Sequence, residues 1–119
     1  MGGFTVKRAA EMTWERNVLG STVTRLRTDG AMLTIVNGRK GDIVPAHGYS
    51  KGCVTYVVTG SISVDGEILH AGDAGTYIAP GDYFTVRFLE DATYVVARAS
   101  HDEITVPDIG ERAAHHLDA

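Results

Sequence analysis

The chain alternates apolar and polar residues in short runs, and almost no stretch carries the period of an amphipathic helix. Segments rich in Val, Ile, Thr and Tyr recur at close spacing: Thr22–Arg27, Met32–Asn37, Val54–Thr59, Ser61–Val64, Glu67–His70, Thr76–Ala79, Tyr83–Phe88 and Thr93–Arg98. Each is too short for a packed helix and has the β-branched and aromatic content of a strand. Turn chemistry separates them. Asp29-Gly30, Asn37-Gly38 and Asp65-Gly66 supply residues that tolerate positive φ, and Pro80-Gly81-Asp82 marks a further reversal. Asp65-Gly66 is the sharpest signal, a two-residue loop between short strands that suits a type I′ hairpin. Eight strands at near-even spacing predict an all-β domain, an antiparallel barrel or jelly roll, with helix content under about 15%.

The ends depart from this pattern. Thr13 and Trp14 break the apolar stripe of Lys7–Arg16, which is therefore expected to be an irregular arm. From His101 onward the chain is polar and interrupted by Pro107 and Gly110, and Glu111–Leu117 could form one or two helical turns. No repeat or linker divides the 119 residues, so one domain spanning 1–119 is expected, with its barrel at about 14–100.

Composition narrows the classes. Hydrophobic residues at 44% and charged residues at 22% exclude global disorder. Eleven Lys and Arg against fifteen Asp and Glu give a net charge of −4 with no basic block, so no nucleic-acid partner is expected. The lone Cys53 forbids an internal disulfide. The first dozen residues lack the apolar core of a signal peptide, no run is long enough to span a bilayer, and Val6 stands where a myristoylation signal wants Ser or Thr. A cytoplasmic protein without a membrane partner is the expectation.

The segment from Gly41 through Asp-Ile-Val-Pro-Ala-His47-Gly-Tyr49-Ser-Lys-Gly-Cys53 to Gly60 has the spacing of a known motif, the first cupin motif. That motif is a Gly, five residues, His, any residue, His, three or four residues, Glu, six residues and Gly. Gly41, His47 and Gly60 fall in place, while Tyr49 stands for the second His and Cys53 for the Glu. Gly72-Asp73 through Ile78-Ala-Pro80-Gly81 resembles the second cupin motif, with Phe84 where the last His would be. From about Trp14 to Arg98 the chain is similar to the cupins that include dihydroxyacetophenone-type dioxygenases and the cupin domain of zinc-dependent anti-sigma factors. The resemblance implies a double-stranded β-helix and a barrel interior that ordinarily holds a metal on three His and one Glu. No helical domain like that of the anti-sigma proteins accompanies it, so no sigma-factor partner is expected.

Of those four positions only His47 keeps a ligand type. Phe84 cannot coordinate, a phenol such as Tyr49 is a poor donor near neutral pH, and Cys53 prefers softer metals. No metal cofactor is therefore expected, although one bound through His47 stays open. Strand alternation supplies the replacement wall: Cys53, Thr55 and Val57 share one face, as do Phe84, Val86 and Phe88. An apolar wall with a few converging polar groups is the composition of a small-molecule pocket.

Plainer readings stand beside these. His47 could be a remnant hydrogen-bonded in the barrel mouth, Tyr49 a cap with its hydroxyl in water, Cys53 a small buried hydrophobe and Phe84 core filler. Asp73 and Asp82 follow glycines, where turn chemistry explains them. The expected activity is acid–base chemistry of the isomerase, cyclase or lyase type on a small apolar carbonyl compound, polyketide-like or aromatic. His47 is expected as base, Tyr49 as proton donor, Cys53 as lining or secondary acid, and Thr55, Val57, Phe84, Val86 and Phe88 as substrate contacts. A metal-dependent dioxygenase with an irregular site and a non-catalytic ligand-binding module are the alternatives. The apolar alternation Val54-Tyr56-Val58 suggests a homodimer.

Overall fold

The computed structural model describes residues 3–17 and 21–107, so the helical turns expected at Glu111–Leu117 lie outside the described residues. The strands run β1 Glu15–Arg16, β2 Thr22–Arg27, β3 Met32–Gly38, β4 Ile43–Tyr49, β5 Cys53–Thr59, β6 Ser61–Val64, β7 Glu67–His70, β8 Ala74–Tyr77, β9 Phe84–Phe88, β10 Ala92–Arg98 and β11 Ile104–Thr105. All eight expected strands are present, most within a residue of their expected ends; β8 begins two residues early. Among the described residues there is no α-helix, and the N-terminal arm carries a short 3-10 turn at Ala9–Glu11 before β1.

The strands form two antiparallel sheets, ordered β1-β2-β3-β10-β5-β8 and β11-β4-β9-β6-β7. Their inner faces pack together around Val23, Val36, Val57 and Val96 from one sheet and Val44, Ile62, Val86 and Phe88 from the other. The sheets do not close on each other by hydrogen bonding, so the architecture is a two-layered jelly roll rather than a continuous cylinder. The Asp65-Gly66 hairpin joins β6 and β7 with both residues at positive φ, 49° and 90°, as a type I′ turn requires.

Sequence patterning missed β4, and β4 makes the site. It pairs with β9 through Ile43↔Arg87, Val44↔Val86 and His47↔Phe84, so Pro45 and Ala46 together oppose Thr85 in a bulge. Pro45 lacks an N–H to give the ladder, and a bulge is where a strand tolerates that. The extra residue breaks strict alternation: Val44 points inward, and so do His47 and then Tyr49, all under 9% exposed. Without the bulge His47 would face solvent.

Candidate functional site

A cavity of about 700 Å³ opens between the sheets. His47, Tyr49, Cys53, Thr55, Phe84 and Val86 all line it, so most of the expected residues come together. The His47 ring centroid lies 4.5 Å from that of Phe84 and 5.4 Å from that of Tyr49, the latter edge-on. Cys53 lines the facing wall from β5, its Sγ 4.0 Å from Thr55 Oγ1. Two expected contacts fall elsewhere. Val57 and Phe88 are 0% and 2% exposed, belong to the dry core and do not line the cavity. Alternation assigned their face correctly but not their depth, because the cavity occupies one end of the sandwich while Phe88 packs on Tyr94 at 5.8 Å.

Three contributors were not anticipated. Tyr77 stands over Phe84, centroids 5.2 Å apart, and its hydroxyl donates to the Gly81 carbonyl at 2.9 Å. A side chain at Gly48 would collide with that hydroxyl, so a glycine there lets β4 pass under Tyr77. Tyr94 lines the cavity from β10 and is 5% exposed. Arg98, on the same face of β10, lays its guanidinium 5.0 Å from the centre of the Tyr49 ring. The inward alternation Tyr94-x-Val96-x-Arg98 was the signal available for the last two.

Electrostatics sorts the polar groups. His47 Nδ1 donates to the Pro45 carbonyl at 2.8 Å, which leaves the lone pair on Nε2. Burial pulls the imidazole below its ordinary value of 6.5; the Pro45 bond and the Asp65 charge oppose this and the Arg98 charge adds to it. His47 is therefore a neutral base at pH 7. Burial pushes the Tyr49 and Tyr94 phenols well up; around Tyr49 the Cys53 and Asp102 groups add to this and the Arg98 and Arg25 charges oppose it, and both phenols stay protonated as donors. Among the described residues neither hydroxyl makes a hydrogen bond. Burial also raises the Cys53 thiol to about 11, so it lines the wall as a neutral thiol rather than a ready nucleophile.

The metal implied by the resemblance meets a poor donor set. Among the described residues no three His, Cys, Asp or Glu side chains cluster, and Phe84 puts a hydrocarbon ring beside His47 where a further donor would be needed. These residues do not fit a cupin metal.

No family model and no curated protein matches the sequence. Solved structures do. A polyketide cyclase from Streptomyces resistomycificus superposes with a TM-score of 0.76 at 16% identity, over 92% of this chain and 89% of that one. An acetylacetone dioxygenase from Acinetobacter johnsonii gives 0.74 at 11%, over 95% and 83%. An RmlC-like cupin from Shewanella frigidimarina gives 0.70 at 20%, over 82% and 91%. At these identities the likeness shows the fold: the chain folds as a cupin.

Proposed function

We propose that this protein is a small-molecule enzyme that moves a proton on an enolisable, largely apolar carbonyl substrate, as an isomerase, cyclase or lyase. One observation carries the reading: a buried imidazole, neutral and locked in one tautomer by Pro45, lines the same cavity as the protonated Tyr49 hydroxyl. His47 Nε2 takes a proton from the carbon beside the carbonyl, and Tyr49 donates to the carbonyl oxygen as charge develops there. Phe84 and Val86 enclose the apolar body from one sheet, and Cys53, Thr55 and Tyr77 line the wall of the other. A polyketide cyclase among the structural neighbours supports this substrate class. The free thiol of Cys53 suits the reducing cytoplasm in which we place the protein.

The test is deuterium exchange beside the carbonyl of aromatic methyl ketones, followed by NMR. His47→Gln is expected to slow exchange about 10²-fold or more, within the usual range for a general base. The wild-type rate is expected to rise with pH through a midpoint below 6.5, because the folded-state value of His47 is lowered. The sign carries over to stability. A histidine with a depressed folded value stabilises the fold above the unfolded value, and that contribution is lost as pH falls below 6.5. Binding of ketones without exchange would make the protein a ligand-binding module. Exchange that needs added Fe, Ni or Zn would restore the metal-dependent reading.

We also propose that the protein pairs through the outer face of its six-stranded sheet. Two cross-sheet rows there carry no charge: Thr24–Ile35–Val95–Tyr56–Ala74 and Leu26–Leu33–Ala97–Val54–Thr76. Val54, Tyr56 and Val58 remain 51%, 46% and 46% exposed, a contiguous apolar stripe of the kind a partner covers. Sedimentation is expected to give twice the chain mass at micromolar concentration, and Tyr56→Glu to give the monomer. A monomeric wild type would refute this.

A further inference from the structure

The mouth of the cavity carries a charge pattern that the acid–base reading does not use. Four carboxylates line it: Asp65 and Glu67 from the β6–β7 hairpin, Asp73 from the turn between β7 and β8, and Asp82 from the connection between β8 and β9. Among the described residues no lysine or arginine lines it. Asp65 Oδ1 accepts from the Thr85 N–H at 3.0 Å and Asp73 Oδ2 from the His70 N–H at 2.8 Å, which are turn roles. These bonds leave both formal charges in place. The Glu67 and Asp82 side chains make no hydrogen bond or ion pair among the described residues, so the turn role expected of Asp82 does not engage its carboxylate. Apolar residues stand between the acids, with Ile68 57% and Ile78 79% exposed.

The interior of the same cavity calls for a ligand on independent grounds. Tyr49 and Tyr94, 8% and 5% exposed, line it, and among the described residues their hydroxyls have no hydrogen-bond partner and the lone pair of His47 Nε2 is likewise unengaged. A bound molecule would set its polar atoms against these groups, its apolar body against Phe84 and Val86, and its far end between the carboxylates. A cation there gains from four negative charges at the rim of a low-dielectric cleft, and an anion is repelled by them.

We propose that the pocket selects aromatic ligands that carry a cationic group, such as a primary amine, at the end left in the mouth, and rejects carboxylates. The proposal rests on the small-molecule reading above and names the charge of its substrate. Arg98 does not counter the selection, since it lies behind Tyr49 and is matched to Asp102.

Calorimetry or fluorescence titration with acetylnaphthalene and its aminomethyl and carboxylate derivatives tests it. At low salt the aminomethyl ketone is expected to bind at least about tenfold tighter than the neutral one and the carboxylate at least about tenfold weaker, with both gaps shrinking at high salt. Glu67→Gln combined with Asp82→Asn is expected to erase most of the preference. A matched pair without the carbonyl, naphthylmethylamine and naphthoate, separates the two readings. If only this pair binds, and the amine binds tighter, the charge selection stands while the carbonyl substrate class falls. Affinities within twofold across a set, tighter binding of either carboxylate, or binding of neither set would overturn the proposal.

Discussion

Asp102→Ala is expected to remove about 3–5 kcal/mol of folding stability, because it strands a buried arginine. Asp102 and Arg98 have side chains 0% and 1% exposed, and Asp102 Oδ2 lies 3.6 Å from Arg98 Nη1. The pair is held by charge, since neither atom reaches a hydrogen-bond partner. The other carboxylate oxygen accepts from the Ser50 hydroxyl at 2.5 Å and from the Lys51 and Glu103 N–H groups at 2.6 and 2.9 Å. One side chain thus fixes the turn between β4 and β5, which separates Tyr49 from Cys53, and docks the segment leading into β11. Removing it leaves a guanidinium uncompensated against the Tyr49 ring and the Ser50 hydroxyl and Lys51 N–H unmet, while the Glu103 N–H keeps its second bond to Ser50 Oγ. Adding Arg98→Met to Asp102→Ala is expected to recover part of the loss, because no lone charge then stays buried. Urea unfolding of both variants measures this, and a loss under about 1 kcal/mol for Asp102→Ala would show that water reaches the pair.

How the sequence announced, or hid, these features follows from local chemistry. Strands such as β2, β6 and β7 were legible to the residue because apolar alternation and turn residues bound them at both ends. β4 was hidden because Pro45 and Gly48 read as breakers and because its bulge abolishes the alternation that marks a strand. The positions facing the cavity were legible through motif spacing, which found His47 despite the bulge. What no local pattern could show is depth. Val57 and Thr55 share a face of β5, yet one is sealed in the core and the other lines the cavity. The pairing of Arg98 with Asp102 gave no signal either, although alternation along β10 puts Arg98 on the inward face. A charged residue at the end of a strand and another in a polar segment read as surface, and only the docking of β11 on β4 buries them. Of the rim carboxylates, Asp73 and Asp82 read as turn residues; Asp73 makes such a bond, and the Asp82 side chain makes none among the described residues. Asp65 and Asp73 stand at opposite ends of the short strand β7, and they border one mouth only because the topology puts β7 and β8 on the sheet edges that flank the cavity.

The contrast between two phenylalanines on one strand tests whether the cavity is a built pocket. Phe88→Ala is expected to cost about 3–5 kcal/mol, the usual loss for emptying a sealed aromatic site. Its ring is 2% exposed, packs on Tyr94, and fills the space that a side chain at position 38 would need, so Gly38 and Phe88 are fitted to each other. The surrounding sheets cannot collapse into the void without breaking their ladders. Phe84, four residues earlier on the same face, is only partly buried and borders the open cavity. Phe84→Ala is expected to cost on the order of 1 kcal/mol, since water can enter the enlarged space and little sealed packing is lost. The same substitution removes the ring that lies against His47 and Tyr77, so it should weaken ketone binding more than it weakens the fold. Urea unfolding together with titration of acetylnaphthalene reads both quantities on each variant. Equal stability losses for the two variants, with ligand affinity unchanged in Phe84→Ala, would make Phe84 core filler and place the binding surface elsewhere in the fold.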